Sequence, residues 1–141
     1  MWFGTHGKGI DIFRYRDKEF SHYQPLFSNS IIYSLFEDDQ RNIWIGTNHG
    51  LEIYNPDTEN ATNLTRENSD LQTNEIRAVS QDKKGNIWIG TLNKGITVYD
   101  RSHMKMKHIN EHSGFSNGAV NHIFRDSHDR MWVATDEGLA L

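Results

Sequence analysis

The fold is decided by a four-residue stretch, Trp88-Ile89-Gly90-Thr91, and by its recurrence along the chain. With small changes the stretch also stands at Trp2-Phe3-Gly4-Thr5, Trp44-Ile45-Gly46-Thr47 and Trp132-Val133-Ala134-Thr135. The tryptophans are 42, 44 and 44 residues apart, and an aspartate stands six residues before each of the last three. A glycine followed by an aliphatic residue comes six or seven residues after every tryptophan. Recurrence in register of this kind predicts a structural repeat of about 44 residues.

Each repeat contains the pattern of four strands. The first strand is predicted at 31–37, 75–81 and 119–125, and the second at 43–47 and 87–91. The third strand begins at the glycine-aliphatic pair, and the fourth is placed near 19–23, 61–65 and 104–109. The second strand is almost wholly apolar, as is typical of a strand buried on both faces. Its glycines, Gly46 and Gly90, indicate a close approach by a neighbouring sheet.

Four strands per repeat of this length are typical of a β-propeller blade. No segment has a helical period, so the sequence predicts an all-β chain, a β-propeller fragment of four-stranded antiparallel blades. A β-sandwich is the structural alternative, but it does not explain the repeated Trp-x-Gly-Thr phrase.

The predicted blade boundaries give a single partial propeller over 1–141. It divides into a partial blade at 1–30, blades at 31–74 and 75–118, and a partial blade at 119–141. An open array leaves sheet edges unpaired. We therefore expect an excised fragment, completed either by remaining propeller blades or by other copies of the chain.

Composition narrows the classes of function. The chain has 141 residues, 35% hydrophobic and 24% charged, with a formal net charge of −4 and no basic block, so no nucleic acid partner is predicted for this segment. It has no cysteine, which excludes disulfides and cysteine-ligated zinc. No apolar run reaches the length of about 18 residues that crosses a bilayer, so a membrane would be met only through other parts of the parent protein.

The repeated residues are predicted to build the scaffold. The tryptophans are candidates for sugar stacking, but their fixed place in a buried strand favours packing between blades. The aspartates are candidates for catalysis or metal binding, but a position used in every blade favours a turn-forming role. The structural positions are Trp44, Gly46, Thr47, Trp88, Gly90, Thr91, Trp132, Thr135, Asp38, Asp82 and Asp126.

The histidines do not form a recognisable metal motif. His108 and His112 are four residues apart, as in a zinc metalloprotease, but they stand on a predicted strand-to-loop segment that does not align them as helical ligands. The histidines also fall at different places in different repeats. They are His6, His22, His49, His103, His108, His112, His122 and His128. We predict no metal site and no cofactor.

The turns that follow each Gly-Thr pair differ most between the repeats. Turns on one rim of a propeller converge near its central opening, where polar variety suits ligand selection. The binding candidates are His6, Lys8, Asn48, His49, Asn93, Lys94, Asp136 and Glu137. The plain alternative is that these are solvated turns. The long connections 57–73 and 101–117 are predicted to offer a second contact surface.

The stretch from Asp82 to Asp100 resembles the two-component regulator propeller repeat, through its Asp-x-x-Gly-Asn-Ile-Trp-Ile-Gly-Thr phrase and the Gly-Ile-x-Val-Tyr-Asp that follows. The copy from Asp38 to Asn55 is similar, with Arg41 at a glycine position. The last copy departs further, with Asp129 before the tryptophan and Ala134 for the glycine. The resemblance covers essentially the whole chain.

The resemblance implies a non-enzymatic sensor. Such repeats are typical of the periplasmic region of hybrid two-component regulators, which detects an oligosaccharide and signals to a histidine kinase, and no kinase lies in these residues. A propeller-scaffold glycosidase or lyase is one alternative, and it would need catalytic groups standing outside the repeat. We identify none and predict no catalytic residue. A protein-interaction propeller is the other alternative.

Overall fold

The computed structural model describes residues 1–26, 30–115 and 118–140, and in these it contains fourteen β-strands and one short 3₁₀ helix, Glu111–Ser113. The strands form four antiparallel sheets in which strands adjacent in sequence are paired. Sheets 2 and 3 have four strands, and sheets 1 and 4 have three. The predicted all-β class, built from successive antiparallel sheets of this size, is confirmed.

The strand bounds follow the repeat. Sheet 1 consists of β1 (Trp2–Gly4), β2 (Ile10–Arg14) and β3 (Glu19–Tyr23). Sheet 2 consists of β4 (Ile32–Glu37), β5 (Ile43–Thr47), β6 (Gly50–Asn55) and β7 (Asn60–Leu64). Sheet 3 consists of β8 (Ile76–Gln81), β9 (Ile87–Thr91), β10 (Ile96–Asp100) and β11 (Lys105–Ile109). Sheet 4 consists of β12 (Val120–Arg125), β13 (Met131–Thr135) and β14 (Gly138–Ala140).

The predicted second strands agree with β5 and β9 at both ends. The predicted first strands begin one residue too early, because Ile31, Glu75 and Ala119 still belong to the connections between sheets.

The sheets pack side by side in chain order, and the first strands of sheets 2, 3 and 4 contact one another in succession. Strand β4 contacts β8, and β8 contacts β12. Each junction has its own apolar core, and the largest buried side chain, Trp44, lies in the core between sheets 2 and 3 with 2% of its surface exposed. Trp2 and Trp88 are partly buried against the cores on either side of this one. The tryptophan rings at these three positions therefore contact cores between sheets.

The glycine of the repeat lies where the next sheet approaches most closely. A Cβ atom built on Gly46 would lie 2.9 Å from the carbonyl oxygen of Ile76, and one built on Gly90 would lie 2.9 Å from the Cβ of Val120. Both distances are shorter than a carbon atom tolerates. Ile76 and Val120 open the first strands of sheets 3 and 4, so the missing side chain sets the spacing between sheets.

The aspartate of each repeat ties a turn to the tryptophan after it. Oδ1 of Asp38 accepts hydrogen bonds from the backbone N–H of Gln40 (2.8 Å) and Asn42 (2.9 Å). Oδ2 accepts from the indole Nε1 of Trp44 at 2.8 Å. The same three bonds recur at Asp82 and Asp126. These turns lie at one end of the strands, and we call this end of the molecule the lower rim.

Within the described residues, Asp38 differs from Asp82 and Asp126 in having an additional partner from another sheet. Nη1 of Arg101, in the turn after β10, donates to its Oδ2 at 2.7 Å, and the Asp38 side chain has no exposed surface. Burial by itself would raise the pKa of this carboxyl, but the hydrogen bonds from Trp44 and Asn42 outweigh burial, so its pKa is lowered. The ionised form is therefore the one that the fold stabilises.

Candidate functional site

The candidate site lies on the upper rim, the end of the strands opposite the aspartate turns. Here the turn between the second and third strands of a repeat meets a connection between two sheets. The backbone N–H of Gly50 donates to the carbonyl of Asn74 (2.8 Å), and that of Leu92 donates to the carbonyl of Glu75 (3.1 Å). These bonds bring chain segments that are distant in sequence to one edge.

The later parts of the long connections lie on this rim as well. Each connection, 57–73 and 101–117, contains the fourth strand of its repeat, β7 or β11, and the segment after that strand reaches the upper rim, whereas Arg101, before β11, lies at the lower rim. The second contact surface that the sequence predicts on these connections stays a prediction. Ser116 and Asn117, at the end of the second connection, lie outside the described residues.

The repeated threonine positions the variable turn residues. Oγ1 of Thr91 donates to the carbonyl of Gly95 (2.9 Å) and accepts from the backbone N–H of Lys94 (2.9 Å). Equivalent pairs of bonds hold the backbones of Lys8, His49 and Glu137. The scaffold thus fixes the backbone at these positions, and the side chains are left to vary.

An upper-rim cavity of about 410 Å³ brings two of the predicted residues together with a histidine from the long connection. It is lined by Gln72, Asn93, Lys94, Asn110, Glu111 and His112. The Asn110 side chain caps the short 3₁₀ helix by accepting from the backbone N–H of His112 at 3.0 Å. All six residues are polar or charged, and amides and charged groups of this kind recognise hydroxyl-rich ligands by hydrogen bonding.

The other predicted residues lie on the same rim but do not line this cavity. Oδ1 of Asn48 accepts from the backbone N–H of Ile31 at 2.9 Å, so this side chain helps to hold the first strand of its own sheet. Nδ1 of His49 lies 3.3 Å from Oγ of Ser30. Lys8 is exposed, and His6 forms a backbone bridge with Ile31.

The last two predicted residues belong to sheet 4. Asp136 accepts a hydrogen bond from Nδ2 of Asn121 at 2.6 Å. Glu137 lines a separate hollow of about 290 Å³ beside Phe115 and Leu139. The eight turn residues are therefore spread along the rim rather than gathered into one pocket.

Sequence reasoning did not single out Gln72, Asn110 and Glu111 as cavity residues. They stand in connections that lack a repeat signal. Only the pairing of these connections with the neighbouring turns brings Gln72 close to His112, which is 40 residues further along the chain.

A second cavity, also about 410 Å³, lies between sheets 1 and 2 and reaches the lower rim. Its wall includes Trp2, Tyr23 and Tyr54, and the two tyrosine rings stack with centroids 4.2 Å apart. The same rings pack against the core between sheets 1 and 2. This crevice is therefore explained by sheet packing, and none of the eight turn residues lines it.

A buried carboxylate bridges sheets 1 and 2. Glu52 on β6 is 1% exposed, and it accepts hydrogen bonds from the Tyr23 hydroxyl and from the backbone N–H of Leu26 (2.9 Å). Burial raises the pKa of the Glu52 carboxyl, although both hydrogen bonds oppose the shift. Burial and the hydrogen bond to Glu52 also raise the pKa of Tyr23.

We expect Glu52→Gln to become progressively more favourable relative to the wild type as pH rises from about 4 to 7. Because the pKa of Glu52 is raised on folding, its stabilising contribution is complete below the unfolded value of about 4.3 and is lost as pH rises through the folded value. Glutamine stays neutral and avoids this loss. Urea unfolding followed by tryptophan fluorescence at several pH values measures the difference. The exposed Glu37→Gln is the control for the same change of charge at the surface. A pH-independent difference for Glu52→Gln would contradict the prediction.

Within 1–26, 30–115 and 118–140, there is no group of three histidine or acidic side chains placed to hold a metal ion. The same part of the chain contains no helix long and apolar enough to cross a membrane.

Comparison with known families identifies the repeat. The model of the two-component regulator propeller matches three segments, 25–49, 70–93 and 114–137, which together make up just over half of the chain. The matches are spaced by the same period as the tryptophans. The chain belongs to the two-component regulator propeller family, and the resemblance read from the sequence is confirmed.

The solved structures similar to this chain include two extracellular domains of two-component systems. The extracellular domain assigned to the hybrid two-component system BT3049 of B. thetaiotaomicron is 32% identical with a TM-score of 0.88, covering 98% of this chain and 19% of that one. The extracellular domain assigned to the hybrid two-component system BT4673 of B. thetaiotaomicron is 28% identical with a TM-score of 0.79 and the same coverage. This chain therefore spans about a fifth of the length of these domains.

A more distant likeness shows the fold alone. Virginiamycin B lyase from Staphylococcus aureus has a TM-score of 0.72 at 13% identity, covering 99% of this chain and 50% of that one. No curated protein matches the chain.

Proposed function

We propose that this chain is a ligand-sensing propeller segment of a hybrid two-component regulator, that it detects an oligosaccharide, and that the signal passes to a histidine kinase outside these residues. The observation that carries the proposal is the polar upper-rim cavity, where repeated threonines fix the backbone and the side chains differ between blades. Membership of the two-component regulator propeller family supports the sensing role.

The proposal places the segment outside the cytoplasm, in the periplasm. Support comes from the similar structures, which are extracellular domains of two-component systems. It treats the chain as non-enzymatic, with further blades or other copies of the chain completing the propeller. The likeness to virginiamycin B lyase gives no reason for an enzymatic role, because at 13% identity it reflects shared architecture.

Calorimetric titration of the 141-residue chain with trisaccharides of galactose, mannose, xylose and galacturonic acid tests the proposal. We expect at least one trisaccharide to bind, and Lys94→Ala to weaken it by about tenfold through loss of a charged hydrogen bond. Lys84→Ala is the matched control, because it removes a lysine from the lower-rim turn of the same sheet.

Failure of every trisaccharide to bind at about 1 mM would reject oligosaccharide sensing and favour a protein-interaction propeller. Equal losses of trisaccharide affinity in Lys94→Ala and Lys84→Ala would show that the ligand does not bind at the upper rim. Cleavage of any trisaccharide during the titration would show that the chain is an enzyme rather than a sensor.

A further inference from the structure

Three first strands carry a β-bulge at the same position. The pairing register skips one residue between Ile32 and Ser34, and it does so again at the equivalent places in β8 and β12. The extra residues are Tyr33, Arg77 and Asn121. A bulge re-aims its side chain away from the regular alternation of the strand, and bulges are frequent next to functional sites.

The bulge residues lie where the innermost strands meet the upper rim. Strands β4, β8 and β12 form one edge of their sheets and contact one another in succession. In a propeller, strands in this position surround the central opening. Each bulge comes directly after the residue paired with the repeated threonine, as Ile76 is paired with Thr91. It therefore stands close to the turns that carry the candidate site.

Tyr33 and Arg77 touch across two blades. The guanidinium carbon of Arg77 lies 4.2 Å from the centroid of the Tyr33 ring, within the range of a cation–π contact. Both residues are half-buried. Stacking on an aromatic face holds the planar guanidinium in one orientation, which reduces the entropy lost when it binds a partner.

Arg77 has no anionic partner within residues 1–26, 30–115 and 118–140, and its Nε is buried without a hydrogen bond. The other half-buried arginine, Arg101, is paired with Asp38 at 2.7 Å. Arg77 therefore carries a charge that no carboxylate of the described residues neutralises, and a carboxylate or sulfate that meets a guanidinium fork binds it with two parallel bonds.

The third bulge residue completes the surroundings. Nδ2 of Asn121 donates to Oδ1 of Asp136 at 2.6 Å, so this amide already binds a carboxylate of its own sheet. Among the three bulge residues, the contact to an incoming oxyanion therefore falls to Arg77.

We propose that Tyr33 and Arg77 form an oxyanion subsite that selects an acidic oligosaccharide, one that carries a carboxylate or a sulfate. This inference rests on the proposed sensing function and adds the chemical class of its ligand. Arg77 binds the charged group, and the Tyr33 ring orients the guanidinium from beneath.

The test titrates the 141-residue chain with trigalacturonate and with its uncharged trimethyl ester, which has the same sugar skeleton. We expect the acid to bind more tightly, and Arg77→Gln to weaken the acid by about tenfold while leaving the ester unchanged. Arg77→Lys keeps the charge but loses the planar fork, so it should bind with intermediate affinity. Arg14→Gln, which removes an exposed arginine of sheet 1, should bind as the wild type does.

Two further arms sharpen the result. A sulfated carrageenan tetrasaccharide that binds more tightly than trigalacturonate, with the same dependence on Arg77, assigns the subsite to sulfate rather than carboxylate. Tyr33→Leu removes the stacking ring but keeps an apolar side chain, and it should weaken the acidic probes alone. This variant decides the question if Arg77→Gln loses its β-sheet circular dichroism.

Equal affinity for acid and ester, or equal losses in Arg77→Gln and Arg14→Gln, would overturn the subsite. If the ester still binds in that case, the sensor proposal stands without the preference for acidic sugars. If neither the acidic probes nor the ester bind, the subsite is rejected, and binding of the galactose, mannose and xylose trisaccharides then decides the sensor proposal separately.

Discussion

Replacing Asp38 by alanine is expected to lower the free energy of unfolding by about 3–5 kcal/mol. The substitution removes the acceptor of the buried Trp44 indole N–H and of two backbone N–H groups in the turn, Gln40 and Asn42. It also leaves Arg101, whose side chain is only 19% exposed, without its closest carboxylate. Removing one partner of such a pair costs more than the pair itself contributes, because the other charge stays desolvated.

The repeat supplies the controls for this measurement. Asp82→Ala breaks the same turn and tryptophan bonds but frees no arginine from another sheet, so its loss should be smaller. Asp126→Ala should cost least, because its turn belongs to an exposed part of sheet 4. Chemical unfolding followed by tryptophan fluorescence gives the three values. A loss at Asp38 no larger than that at Asp126 would show that the Arg101 contact adds nothing.

Acid provides an independent check on Asp38. Because the pKa of Asp38 is lowered on folding, its contribution is complete above the unfolded value of about 3.9 and is lost as pH falls through the folded value. The stability gap between wild type and Asp38→Ala should therefore narrow below about pH 4. A gap that does not change with pH would mean that the turn recognises the shape of the side chain rather than its charge.

Most of the scaffold was predictable because its physical requirements repeat. A strand buried on both faces, a glycine beneath the next sheet and an aspartate closing a turn each demand a particular residue type. The same letters therefore return every 42 to 44 residues. Arg41 shows that a local departure does not alter the turn, because it adopts a φ of 66° where Gly85 in the next repeat has 89°. The hydrogen bonds that Asp38 accepts within the turn hold it in spite of the strain of a left-handed arginine.

The features that escaped prediction repeat in backbone conformation without repeating in residue type. The residue before the fourth strand of a repeat (β3, β7 and β11) has a positive φ, but these residues are Lys18, Glu59 and Met104 rather than glycine. The bulges behave in the same way, since a tyrosine and an arginine occupy equivalent places. A sequence period reports shared side-chain chemistry, so conformations that many residue types adopt leave no trace in it.

The candidate site likewise has a part that could be predicted from the repeat and a part that could not. The turn residues were predictable from their variation between copies, because the repeated threonine marks where each turn begins. The cavity was not, because its other walls come from connections of irregular sequence, and the Tyr33–Arg77 contact joins residues in two different sheets.

Replacing Gly90 by alanine is expected to destabilise the chain by about 1–3 kcal/mol, the usual cost of overpacking a core. The new methyl group would overlap Val120, the first residue of β12, and force sheets 3 and 4 apart. Alanine favours strands more than glycine does, so local propensity alone predicts the opposite sign. The corresponding residue of sheet 4 is already alanine, and Ala134→Gly should change stability by only about 0.5–1 kcal/mol.

A double-mutant cycle separates the overlap from any local effect of the substitution. Val120→Ala removes the methyl groups that meet the new side chain, at the cost of a small cavity when it is made alone. Gly90→Ala and Val120→Ala together should then cost less than the sum of the two changes, by about 1 kcal/mol or more. Strict additivity would mean that the glycine is needed for the backbone of β9 itself. The distance between sheets 3 and 4 would then be determined by packing of the apolar core around Ile96 and Val133 rather than by the glycine.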